Sequence, residues 1–157
     1  GDPFAMGWQH GQQVSDLRPQ IAEAMAIRFR QIEEDTLDNR FHTLLAETRT
    51  VIEWTGRPLL DMIRGQAEAL EVEFETLLRY DLISYLRDDL LVRRNLSSEG
   101  CTTWAASGSC TADHTPILVK NRDYRPEHLP LQCVVRAVPD RGYSYVYVSS
   151  AGSPANL

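Results

Sequence analysis

Between Arg94 and Cys101 the spacing of apolar residues changes from three-to-four to two, and a Gly100-Cys101 pair stands at the change. This switch constrains the fold more than any other feature, because it sets helices before the pair and strands after it. Asp16 and Pro19 mark a helix start. From there Ile21, Met25, Phe29 and Ile32 recur at helical spacing to about Glu34. Leu37 to Trp54 repeats the pattern through Phe41, Leu44, Leu45, Val51, Ile52 and Trp54, and Gly56 and Pro58 punctuate it. Leu59 to Leu70 forms a third, shorter helix. Glu73 to about Arg94 forms a fourth, with Phe74, Leu77, Leu78, Leu82, Tyr85 and Leu86 inward. Residues 1–12, with three glycines and His10, read as an irregular lead-in and the start of a helix.

Past the pair, Cys101–Ala106 and Ile117–Asn121 read as strands flanking a polar loop with Gly108 and Asp113. Leu131–Val138 and Tyr143–Ser149 form a second candidate hairpin around Pro139-Asp140-Arg141-Gly142, where proline presets φ and glycine accepts positive φ. A helical block followed by antiparallel strands gives an α+β or layered αββα class. The expected division is 1–100 as a helical α part and 101–157 as the start of a β part.

Charge follows the same boundary. Up to Gly100 there are 18 acidic and 11 basic residues, and after it 4 and 5. The acidity therefore belongs to the helices, and no clustered basic surface suggests nucleic acid. No run of about eighteen apolar residues predicts a membrane span, and no signal peptide is read. Cys101, Cys110 and Cys133 lie nine and twenty-three residues apart, which fits no zinc pattern. Three thiols without a secretory signal predict a reducing, cytoplasmic setting. Neither cofactor nor metal is expected.

The pair itself carries chemistry. Glycine has no side chain to shield its carbonyl, so the Cys101 thiol can attack the Gly100–Cys101 peptide by an N-to-S acyl shift. Hydrolysis would leave Cys101 as a new N-terminus. Its thiol would then be the nucleophile and its α-amine, titrating near about 7.7–8.0, the base. Pairing of the two following strands is expected to bring Lys120, Asn121 and Asp123 alongside Cys101. Taken singly, each has a plainer reading. A cysteine is usually a buried small hydrophobe, Asp123 beside Arg122 and Arg125 could be a surface ion pair, and Lys120 a solvated lysine. His10 and His114 could suggest a Cys–His dyad, but an N-terminal nucleophile needs no imidazole.

Gly100-Cys101-Thr102-Thr103 followed by Lys120-Asn121-Arg122-Asp123-Tyr124 resembles the acyl-coenzyme A:6-aminopenicillanic acid acyltransferase family, N-terminal-nucleophile hydrolases made as self-cleaving precursors. Met6-Gly7-Trp8-Gln9-His10-Gly11 is similar to the Gly-x-x-His-Gly opening of the family's α part, and Ile63-Arg64-Gly65-Gln66-Ala67 to its mid-helical I-x-G-x-A segment. The resemblance implies an αββα sandwich, with Cys101 as nucleophile and with Asp123 and Asn121 as site residues. It further implies autocleavage at Gly100–Cys101, with α and β fragments that stay associated. The family's precursors are longer, so the chain is expected to hold the α part and the first strands of the β part. The substrate implied is a small acyl amide or thioester, acyl-coenzyme A among them, and a homo-oligomer is compatible with this reading. At Lys120 related hydrolases carry Arg and the penicillin acyltransferase carries Gln, so the resemblance transfers no acyl preference; Lys120 is a candidate substrate contact. The competing expectation is a non-catalytic helical interaction module with an uncleaved Gly-Cys pair.

Overall fold

A computed structural model describes residues 1–35, 40–93, 101–122 and 126–153. Among the described residues, five α-helices precede four strands: α1 (Pro3–Gln13), α2 (Arg18–Asp35), α3 (Arg40–Thr55), α4 (Arg57–Leu70), α5 (Phe74–Arg93), β1 (Cys101–Ala106), β2 (Ile117–Arg122), β3 (Gln132–Ala137) and β4 (Tyr145–Ser150). The class is α+β, as the change of periodicity predicts.

The first departure is the extent of α1, helical from Pro3 to Gln13 where an irregular lead-in and only the start of a helix are expected. The Asp2 carboxylate accepts from the Ala5 amide at 2.8 Å, and Pro3 occupies the first turn, so the start is capped by side chain and ring together. The glycines that weaken helix propensity here serve packing instead. Gly7 lies against the Met62 backbone, and Gly65 against the backbone of Phe4 and Trp8, so a Cβ at either position would run into a carbonyl oxygen. A Cβ at Gly11 would sit 2.6 Å from that of Ala69. The two segments singled out in α1 and α4 are thus the two sides of one close helix crossing.

Arg18 ties the start of α2 to the end of α4. Its guanidinium donates to the Ala69 carbonyl at 2.6 Å and pairs with Glu71 at 3.0 Å, placing a cation where the helix leaves its carbonyls unpaired. Ile21, Met25, Phe41, Leu60, Ile63, Leu77, Leu78 and Leu86 fill the core, as their spacing predicts, and Ile83, which that spacing does not single out, joins them. Val51, Trp54 and Tyr85 depart from that prediction and are exposed, Trp54 at 86 %. In α3 the core takes Phe41, Leu44, Leu45 and Ile52, so the neighbouring Val51 turns outward.

The strands form two separate two-stranded antiparallel sheets, β1–β2 and β3–β4. The second is anchored in the helical core. Leu131 and Ala151 are fully buried there, and the Ala151 amide donates to the Leu131 carbonyl at 2.6 Å. Just ahead of β3, His128 stacks on Tyr80 of α5, with hydroxyl and Nδ1 3.2 Å apart. The first hairpin is open on both faces, with Trp104, Ile117 and Leu118 exposed. Among the described residues, no helix is long and apolar enough to cross a membrane.

Candidate functional site

Cys101 is the first residue of β1, and its backbone partner across the hairpin is Arg122. Thr102 faces Asn121 and Thr103 faces Lys120. Directly opposed residues of an antiparallel pair share a face, and successive residues alternate. Lys120 therefore shares the face of register position 101, one diagonal step away, while Asn121 lies on the opposite face with Thr102. The pairing itself is as expected; the register brings Lys120, rather than Asn121, to the face of position 101. Lys120 and Asn121 are both exposed. Gly100 and Asp123 lie outside the described residues.

The loop between these strands is held by its own polar groups. The Thr115 amide donates to Asp113 at 3.0 Å, which holds that carboxyl below its usual range. His114, in the left-handed region at φ 61°, donates from Nδ1 to the Gly108 carbonyl at 3.0 Å. It closes the loop and leaves the strand ends that carry Lys120 and Asn121 at the far end of the hairpin.

Sequence reasoning passed over a second set of polar groups, where the helices meet β3–β4. The Asp81 carboxylate on α5 is shut off from solvent, and its pKa is pushed up to about 8 by burial. The Ser153 side chain acts against that shift, but among the described residues no donor reaches full hydrogen-bonding geometry with either Asp81 oxygen. Tyr147 is pushed up to about 12 by burial and then by the nearby Tyr145, Cys133 and Asp81. His10 is lowered by burial, and its Nε2 is enclosed with no hydrogen-bond partner among the described residues. At neutral pH all three are mainly uncharged. No cluster of three or more metal-ligating side chains occurs among the described residues.

Asp81 gives the fold a pH dependence of definite sign. Its folded-state pKa lies above the value of about 3.8 for a free carboxyl, so the folded state binds the extra proton. That contribution is complete below about pH 4 and is lost as pH rises through about 8. Asp81→Asn is expected to flatten this decline and to add on the order of a few kcal/mol near its upper end. Urea midpoints measured across this range check it; an identical pH slope in both proteins would refute the buried acid.

No family model matches the chain, and a search of curated proteins gives no match either.

Proposed function

We propose that the chain carries the nucleophile of a self-processing cysteine amidase or acyltransferase of the N-terminal-nucleophile type. The observation that carries this reading is the position of Cys101. It opens the first strand after five helices, directly follows Gly100, and sits in a hairpin whose second strand carries Lys120 and Asn121 and leads into Asp123. In processing, the Cys101 thiol attacks the Gly100 carbonyl and the peptide C–N bond breaks. Water then hydrolyses the resulting thioester, giving a Gly100 carboxylate and a free Cys101 α-amine. In turnover, the α-amine takes the thiol proton as Sγ attacks an acyl carbonyl. The amine or thiol of the substrate leaves protonated, and water or an amine acceptor resolves the acyl-cysteine. Asp123 orients the α-amine or the substrate, Asn121 braces the strand end, and Lys120 contacts the substrate on the nucleophile's face.

An αββα sandwich is the architecture proposed with this chemistry. A hairpin of two strands is marginal alone. The apolar residues left open on both hairpins, Leu118, Val134, Val146 and Val148 among them, offer surface for further sheet. The competing reading, a non-catalytic module, keeps the same fold and differs in one covalent bond. Intact mass of the complete protein separates the two. Two fragments are expected, the second beginning Cys-Thr-Thr-Trp on Edman sequencing; a single uncut species favours the module.

A further inference from the structure

Asp81 sits where α5 meets the second hairpin, with Ser153 beside it and Tyr147 near enough to feel its charge. Both of its oxygens are enclosed, and among the described residues none donates to either in full geometry. The Ser149 hydroxyl, close by, is spent on the Ser153 carbonyl at 2.8 Å. A carboxylate needs donors or water, so the closed fold holds Asp81 as the neutral acid.

The surrounding charges do not take the proton's place. Arg79, two residues earlier on α5, lies over the rings of Phe29 and Phe41. Arg28 of α2 reaches Gln31 and Ser84. Arg64 of α4 covers Phe74, and Arg49 of α3 pairs with Glu75, both at the first turn of α5. The hairpin presents Tyr147 and Cys133, and α1 presents His10. Ahead of β3 lie Glu127 and His128, the latter stacked on Tyr80. None of these donates to an Asp81 oxygen.

The hairpin that covers the acid is held by less than the helix that carries it. α5 is packed along Leu77, Leu78, Ile83 and Leu86. The hairpin is seated at its base through Leu131, Ala151 and Gly152, the last against Ile21. Its outer face of Val134, Val146 and Val148 is open and adds nothing to that seat. Water can therefore reach Asp81 by the hairpin's lifting, without parting the helices. Such partial openings cost less than global unfolding and involve whole supersecondary units.

We propose that β3–β4 is a proton-controlled lid: it lifts from the helical block as a unit, into a minor state, and loss of the Asp81 proton favours that state. Lifting bares Tyr147, Cys133 and the seats of Leu131 and Ala151. The lid goes beyond the Cys101 chemistry and does not rest on it. The closed state holds the proton and the lifted state, with Asp81 in water, releases it, so the lifted fraction grows as pH rises. One proton is involved, so growth is about tenfold per pH unit above about pH 4, levelling off above about pH 8.

Native-state hydrogen exchange on the 157-residue chain, in low urea, reads both halves of this. The Ala151 amide, which donates to the Leu131 carbonyl at 2.6 Å, reports the hairpin's seat, and the amide of buried Ile63 reports the helical core. At neutral pH, Ala151 is expected to be at least about tenfold less protected than Ile63 and nearly insensitive to urea, since lifting exposes little surface. Corrected for intrinsic exchange, its protection should fall about tenfold per unit from about pH 5 to about pH 7. Asp81→Asn should remove that slope and keep the protection at its acidic level. Should Asn prevent folding here, Asp81→Leu, uncharged and apolar, gives the same reading. Two results would each overturn the proposal: Ala151 matching Ile63 in protection and urea slope, or a pH slope at Ala151 that is missing in the parent or persists in the uncharged variants.

Discussion

Gly65→Ala should lower the urea midpoint sharply, by an amount corresponding to about 3 kcal/mol or more, with the slope unchanged. The added Cβ meets the Phe4 carbonyl oxygen and comes 2.9 Å from the Trp8 nitrogen, and both are backbone atoms that cannot rotate away. The helices must separate, and α1 leaves its seat on α4. Since a domain's whole stability is about 5–15 kcal/mol, such a loss brings the chain close to unfolding. Gly7→Ala, aimed at the Met62 carbonyl from the other side, should cost a similar amount. The double variant should lose less than the sum, because either change alone already forces the crossing open. A Gly65→Ala midpoint within about 0.5 kcal/mol of the parent would mean that the helices do not cross this closely.

The other large effect is covalent. Cys101→Ala should leave the complete protein uncut at Gly100–Cys101 and without acyl transfer, since it removes the only atom able to attack the Gly100 carbonyl from the adjacent residue. Cys101→Ser should cleave more slowly, an alcohol being a poorer nucleophile than a thiol at neutral pH. Cys110→Ser and Cys133→Ser should process as the parent does, with Cys110 lying in the exposed loop and Cys133 in β3. Mass spectrometry over time reads all four. Cutting of Cys101→Ala at the same bond, in a protease-free preparation, would end the self-processing reading.

The order of elements was legible because periodicity reports secondary structure locally. α1 was not, since its glycines argue against a helix by propensity while being required by the crossing with α4; the readable signal was the Asp2-Pro3 start. Hairpin pairing was legible too, but register was not. A slip of one residue exchanges the faces, and this decides whether Lys120 or Asn121 accompanies position 101. Asp81 and Ser153 gave no sequence signal, and His10 stood out only as a motif residue, with nothing to announce its burial. A buried aspartate on a helix looks like any polar-face residue until a distant strand covers it. Likewise, nothing in Val51 or Trp54 announces that α3 turns the face carrying Phe41, Leu44, Leu45 and Ile52 to the core and leaves these two outside.

The seating of Leu131 and Ala151 among the helices bears on how the chain is made. During synthesis all five helices emerge before either residue does, and a nascent helical block would expose the socket that these two later fill. Local helix contacts form early, while contacts spanning long stretches of chain form late. The helices can therefore gather first, but their core closes only once the second hairpin has left the ribosome. The Gly100–Cys101 bond would then mark a place for chemistry inside one cooperative folding unit. A ribosome-stalled chain ending before Leu131 should be more readily proteolysed than one extending past Ser153.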